Sequence, residues 1–274
     1  MKISYTTLSV QKLSIQSAIL IAKRKKLDGI ELRGKENEHI SVENSFEYCY
    51  RVKQLLEQEH LQVPCLTAYT KFYQSSEKAV NREIEKLLPI LDLAEYIKAH
   101  TVRVFMGSPP ESLSPQDALM IAQQGLMNLS EVLNGREISV SIETHDSAKT
   151  GQEMAKILQP IPEQIGVLLD IIHPFSMGES IDQTWEYIGS RINHVHIKDA
   201  STIGVEGNVY CAIGKGLIPV EHIVSYMLSK GYDGYFSLEW EKSVSNMNGI
   251  SFEDQLDSFV SFMSPLRRST NNEN

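Results

Sequence analysis

The sequence predicts a single (β/α)8 barrel, and three observations predict it. Short β-type runs alternate with amphipathic helical runs eight times along 274 residues, a length normal for one barrel domain. The last four β-type runs turn acidic or imidazole-bearing at their C-terminal ends, where such barrels place their chemistry. A doubly wound open sheet would favour a GxGxxG after the first strand, and the chain has none there.

In chain order, Ile3 to Leu8 reads as a first strand. Ser14 to Lys26 reads as a helix, with Ile15, Ala18, Ile19 and Ala22 on one stripe and a basic last turn that suits the macrodipole. Asp28-Gly29 turns into a second strand, Ile30 to Arg33, followed by a helix from about Glu43 to Glu59 and a third strand at Val63 to Thr67. Ser76 to His100 is a long helical run that Pro89 is expected to kink or divide. The fourth strand is Thr101 to Gly107, and Ser114-Pro115 with Asp117 caps the next helix, which runs to about Leu133.

The fifth strand holds Glu143 and a helix from about Thr150 to Leu158 leads to the sixth, which holds Asp170. A helix from about Ile181 to Ile188 precedes the seventh, and a Gly-rich loop at Ile213 to Gly216 leads to a helix started by Pro219. The eighth strand follows Gly231-Tyr232-Asp233-Gly234, and Ser251 to Met263 is a last helix. The barrel is expected over 1–268, with 269–274 as a disordered polar tail. Met120, Met127 and Met154 fall in helical runs and read as core packing.

A net charge of −9 and a pI near 5.4 argue against non-specific binding to nucleic acid, because phosphate contacts need a basic stripe. No run of about 18 apolar residues signals a membrane span, and Met1 leads straight into the first strand rather than into a leader. The three cysteines, Cys49, Cys65 and Cys211, are unpaired by number and lack CxxC spacing, so the expected address is the reducing cytoplasm. A homo-oligomer is compatible with all of this.

Polar and apolar residues alternate strictly from His194 to Lys198, the period of a strand. By parity His194, His196 and Lys198 share a face, as do Ser141, Glu143 and His145, and Ser237, Glu239 and Glu241. Glu143, Asp170, His196 and Glu239 should therefore converge from four consecutive strand ends. Three carboxylates in a confined cavity repel, and a divalent cation removes the problem. Mostly oxygen donors plus one nitrogen suit Mn, Mg or Co, with Zn or Fe also admissible.

His145, Lys198 and Glu241 lie two residues beyond a presumed ligand and so nearer the mouth, where solvated rim residues would look the same. His173 lies three past Asp170, where a turn brings it over the metal. His194 should sit a layer deeper than His196, since two strand residues span roughly 6.6 Å. Glu31 and Arg103 face the interior if their registers hold, although a core salt bridge reads equally well. His39, His60, His100 and His222 read as surface residues.

The segments Ser-Ile-Glu143-Thr-His145, Leu-Asp170-x-x-His173, His194-Val-His196-Ile-Lys198-Asp199, Ile213-Gly-Lys-Gly216-x-Ile-Pro219 and Gly231 through Glu239 resemble the sugar isomerase/epimerase family with the xylose-isomerase-like barrel. The resemblance implies one divalent metal on Glu143, Asp170, His196 and Glu239, with His173 contacting substrate. It implies a small sugar or polyol substrate and an isomerase or epimerase working through an enediolate.

Glu143 and Glu239 are expected to carry the proton. His173 and Lys198, with His145 and Glu241 beside them, would bind substrate oxygens, and Lys215 in its glycine-rich loop could meet a phosphate or carboxylate. A lyase dehydrating a keto-polyol such as an inosose begins with the same proton abstraction. A DNA-repair endonuclease shares the barrel but expects more histidine ligands and a basic groove, and a catalytically silent binding barrel is the blandest reading.

Overall fold

The structure is a computed structural model that describes residues 1–204, 207–240 and 251–271. Its sheet is built from β1 (Lys2–Tyr5), β2 (Leu32–Arg33), β3 (Val63–Lys71), β4 (Ala99–Phe105), β5 (Ser139–Glu143), β6 (Ile165–Asp170) and β7 (Ile192–Ile197). A small antiparallel hairpin, β8 (Ala200–Thr202) and β9 (Val209–Tyr210), separates β7 from the eighth barrel strand, β10 (Tyr235–Leu238).

The eight barrel strands pair in parallel in the order β1-β10-β7-β6-β5-β4-β3-β2. The two end strands meet through backbone bonds, Glu31 N–H to Tyr5 O and Thr7 N–H to Glu31 O, each 2.9 Å. This is the predicted (β/α)8 barrel.

The helices are α1 (Ile15–Arg24), α2 (Phe46–Gln58), α3 (Glu77–Tyr96), α4 (Pro115–Leu133), α5 (Gly151–Leu158), α6 (Ile172–Ser176), α7 (Ile181–Ile188), α8 (Val220–Ser229) and α9 (Phe252–Asn271). Their starts are written in hydroxyls. The side chains of Ser14, Ser45, Ser76 and Ser114 each accept a backbone N–H of the first turn, and Thr150 and Ser180 complete capping boxes with Glu153 and Gln183.

The outward strand face carries Val140, Ile142, Val167, Leu169, Val195, Ile197, Phe236 and Leu238, all buried in one core with Leu126, Leu129, Met154, Ile223 and Val224 of the helices. Each such side chain contributes about 1.5–3 kcal/mol by leaving water. The inward face is thereby left for polar residues.

Several local expectations need correcting. The first strand stops at Tyr5, and Thr7–Val10 is a 3-10 turn capped by Thr6. Pro89 does not divide α3; Pro89 and Glu85 both lie on the exposed side, where the carbonyl orphaned by the missing N–H meets water. His100 belongs to β4 rather than to a helix. His39 is buried, because Tyr48 O–H holds its carbonyl at 2.8 Å and its Nε2 donates to Leu13 O at 3.0 Å.

Met120 is exposed, not core. α9 continues to Asn271, so three residues of the expected tail, 269–271, are helical, and 272–274 lie outside the described residues. Among the described residues no helix is long and apolar enough to cross a membrane.

Candidate metal centre at the barrel mouth

Glu143 ends β5, Asp170 ends β6, His196 lies in β7 and Glu239 follows β10 directly. Register brings them together: Asp170 and Ser237 are the lateral partners of His196, so the chain turns inward at one level on three neighbouring strands. One donor atom from each of Glu143, Asp170, His196 and Glu239 lies within 4.8 Å of the others. All four are buried, Glu239 being the most open at 8% exposed.

The strand ends are pinned from behind. Thr144 Oγ1 accepts from Asp170 N–H at 2.9 Å and donates to Asp170 O at 3.2 Å, and Asp170 Oδ1 accepts from Ile172 N–H at 3.2 Å, where α6 begins. Asp170 Oδ2 is thus left pointing into the barrel.

The charges inside interlock. Lys198 Nζ lies 2.7 Å from Asp170 Oδ2 and 2.6 Å from Glu239 Oε2, while Arg103 Nη1 lies 3.2 Å from Glu143 Oε2. His196 Nδ1 is 2.9 Å from Glu239 Oε2 and 3.6 Å from Glu143 Oε1.

Burial alone would raise the carboxyls, but His196 and Lys198 hold Glu239 well below the usual range, and Arg103 and His196 hold Glu143 below it. Burial likewise works against a charged His196 and is outweighed by Glu239 and Glu31, so its imidazole titrates well above the ordinary value. Burial dominates at His173, which is held low and therefore neutral near pH 7.

Behind His196 stands a second carboxylate. Glu31 accepts from His194 Nε2 at 2.8 Å and from His196 Nε2 at 3.0 Å, and both histidines drive Glu31 far below its ordinary value against the effect of its burial. A carboxylate on Nε2 leaves Nδ1 of His196 as the nitrogen that faces Glu143 and Glu239. That is how a metal-ligating imidazole is oriented.

The donor set also fits a cation on its own terms. Asp170 Oδ2, Glu239 Oε2 and His196 Nδ1 are buried at one point without a hydrogen bond, their close contacts being charge contacts with poor hydrogen-bond alignment. Three oxygens and a nitrogen match the divalent ions expected from the sequence.

The family model described as a xylose isomerase-like TIM barrel matches residues 19–259. The chain belongs to the xylose isomerase-like TIM barrel family. Curated inosose dehydratases of Lacticaseibacillus casei are 23% identical over 147 residues, 47% of this chain. The chain spans about half the length of those curated relatives, 49% and 48%, in the match.

Among solved structures, the probable 3-DHS dehydratase AsbF of Bacillus anthracis, involved in petrobactin synthesis, superimposes with TM-score 0.79 at 20% identity over 96% of this chain and 99% of its own. A D-tagatose 3-epimerase-like protein gives TM-score 0.79 at 18% identity over the whole of both chains. The IolI protein with a bound zinc atom gives 0.79 at 15% identity over 96% of each. At these identities the structural likeness is one of fold.

Within this family barrel the remaining expected residues separate. His173 Nε2 is 3.6 Å from Asp170 Oδ2, brought there by α6, and its ring meets that of His145 edge-on at 4.8 Å. His145 is partly exposed, and its Nδ1 lies 2.9 Å from Asp146. Lys198, although two residues past His196, is buried and reaches back into the carboxylates. Glu241 lies outside the described residues.

Lys215 is exposed, and the amides of its loop do not await an external anion. Asp199 takes Gly214 N–H at 2.9 Å, Gly216 N–H at 2.8 Å, Ile218 N–H at 3.2 Å and Ala200 N–H at 2.9 Å. Gly216 permits this approach, since a Cβ there would collide with the Asp199 carboxylate. His194 sits behind the ligand set, hydrogen-bonded to Glu31 and fully buried.

Sequence reasoning missed Arg33, Tyr69 and Phe105, which extend the mouth across β2, β3 and β4. Arg33 Nε donates to Tyr69 Oη at 2.7 Å, and the Arg103 guanidinium lies 3.9 Å from the Phe105 ring centroid. The parity that turns Glu31 and Arg103 inward also turns Arg33 and Phe105 inward, and that signal was available.

Proposed function

We propose that this protein is a divalent-metal-dependent isomerase or epimerase of a ketose or related keto-polyol, acting by removal and return of the proton next to a carbonyl. The convergence of Glu143, Asp170, His196 and Glu239 on one buried point carries this reading. Those four residues would hold the ion, which when bound polarises the carbonyl and its neighbouring hydroxyl; Mn, Mg or Co fits the oxygen-rich set, and zinc in the IolI structure keeps that metal in view.

Glu143 and Glu239, both held ionised, are the bases available to take the proton. Lys198 keeps Glu239 and Asp170 oriented and puts a positive charge beside the place a substrate oxygen would take. His173, neutral and beside His145, can donate to or accept from a substrate hydroxyl.

A dehydratase is the second reading, supported by the names of the L. casei and B. anthracis relatives. It begins with the same abstraction, then expels a β-hydroxyl as water, protonated by the carboxyl of Glu143 or Glu239 that has just taken the proton. Turnover of ketoses and inososes in heavy water tests both. Solvent deuterium at the carbon next to the carbonyl supports proton abstraction, and complete retention of the original hydrogen rejects it. A product lighter by one water selects the dehydratase.

A further inference from the structure

Beside the acidic centre stands a basic wall unlike anything else at this mouth. In a chain of net charge −9, three cations gather on one phenol ring: Arg33 Cζ, Lys35 Nζ and Arg103 Cζ lie 5.6, 5.2 and 5.2 Å from the Tyr69 centroid. Arg33 is 7% exposed and Arg103 is 5% exposed. Guanidinium groups buried to that degree are costly unless their donors find acceptors.

The available acceptors fall short. Arg33 Nη1 lies 2.8 Å from Glu38 Oε1, but the N–H is not aimed at that oxygen and makes no hydrogen bond. Arg103 Nε is buried with no acceptor among the described residues, and the carboxylate that its Nη1 meets, Glu143, belongs to the cation-holding set. Tyr69 spends an oxygen lone pair on Arg33 and keeps its own proton to donate. Lys35 has no carboxylate partner among the described residues.

Planar guanidinium forks stacked on aromatic rings, with unspent donors, are suited to a carboxylate or phosphate. The Arg103–Glu143 contact of 3.2 Å joins this wall to the metal centre, within the length of one small molecule.

We propose that Arg33, Arg103 and Tyr69 bind an anionic group of the substrate, so that the keto-polyol handled at the adjacent centre is an acid or a phosphate ester. This rests on the proposed function for the reacting end. The competing role is structural: Arg33 and Glu38 would be a strut holding the segment between β2 and α2.

The manganese-loaded protein is titrated calorimetrically with three probes and assayed for turnover of each. 2-Keto-myo-inositol is neutral, 3-dehydroshikimate carries a carboxylate and D-fructose 6-phosphate carries a phosphate. One anionic probe should bind roughly 10- to 100-fold more tightly than the neutral one, the range for hydrogen bonds to a charged group, and which of the two does so identifies the anion.

Arg33→Gln should weaken that probe far more than the neutral one, and Tyr69→Phe should do so to a smaller degree. Glu38→Gln frees the guanidinium and should tighten the anionic probe. Arg33→Gln and Glu38→Gln weakening all probes alike, with a matching fall in melting temperature, would establish the strut and overturn the assignment. Binding or turnover of the neutral probe without an anionic preference would overturn it while leaving the proposed function intact. Failure of all three probes to bind or react would overturn both.

Discussion

The two halves of the barrel mouth solve opposite electrostatic problems. From β5 through β7 to β10, carboxylates crowd around His196 and Lys198, so the surplus is negative and the partner proposed for it is a cation. Across β2, β3 and β4, Arg33, Lys35 and Arg103 crowd around Tyr69, so the surplus is positive and the partner proposed for it is an anion. Arg103 and Glu143 form the seam between them. A molecule with a carbonyl at one end and a charge at the other would satisfy both halves, and neither half alone describes the substrate.

Removing a donor from the acidic half should have the largest effect. His196→Ala deletes the one nitrogen of the set and leaves Glu31 paired with His194 alone, and metal affinity should fall by more than the roughly 10- to 100-fold typical of a residue that merely orients a ligand. Equilibrium dialysis of the variant with manganese checks this; unchanged affinity would place the ion elsewhere.

Next in size is Glu31→Gln, which touches no ion but sets the ring of His196. Metal affinity should drop by roughly 10- to 100-fold while the fold persists by circular dichroism. An effect on melting temperature alone would make Glu31 a core ion-pair partner and nothing more.

The smallest effect concerns acid. Glu31, Glu143 and Glu239 are held below the ordinary carboxyl range. Their contribution to stability is present above the unfolded-chain value, about 4.3, and is lost as pH falls through the lower folded values. His196, held above its ordinary value, works in the opposite direction, its contribution fading as pH rises through the raised folded value. Thermal melts of chelator-treated protein between neutral pH and about pH 3 should decline below about pH 4.3, and less steeply in Glu239→Gln. A flat profile would contradict the mutual pairing of these charges.

The same division explains what could be read from the sequence. The acidic half was legible because strand parity alone decides which side chains turn inward, and Glu143, His196 and Glu239 each follow an alternating run. The helices were legible through their serine and threonine caps.

The contact between His194 and Glu31 joins residues 163 apart in sequence across a closed barrel, a pairing no local pattern announces. Lys198 has the length to reach either solvent or the carboxylates, and only the surrounding charge decides. His39 is buried by Tyr48 and Leu13, a contact made when the segment after β2 folds back on the turn before α1. Arg33 and Tyr69 belong to no motif, and their meaning comes from the ring of cations that closure assembles.

The central claim is that Glu143, Asp170, His196 and Glu239 hold one divalent ion. Anomalous scattering from crystals of chelator-stripped, manganese-reconstituted protein, with elemental analysis of the same sample, tests it most directly. The account predicts one ion per chain, coordinated by His196 Nδ1 and by oxygens of the three carboxylates, with Glu31 still on His196 Nε2. An ion bound instead on the Nε2 side, between Glu31, His194 and His196, or no ion at this mouth at saturating manganese, would contradict it.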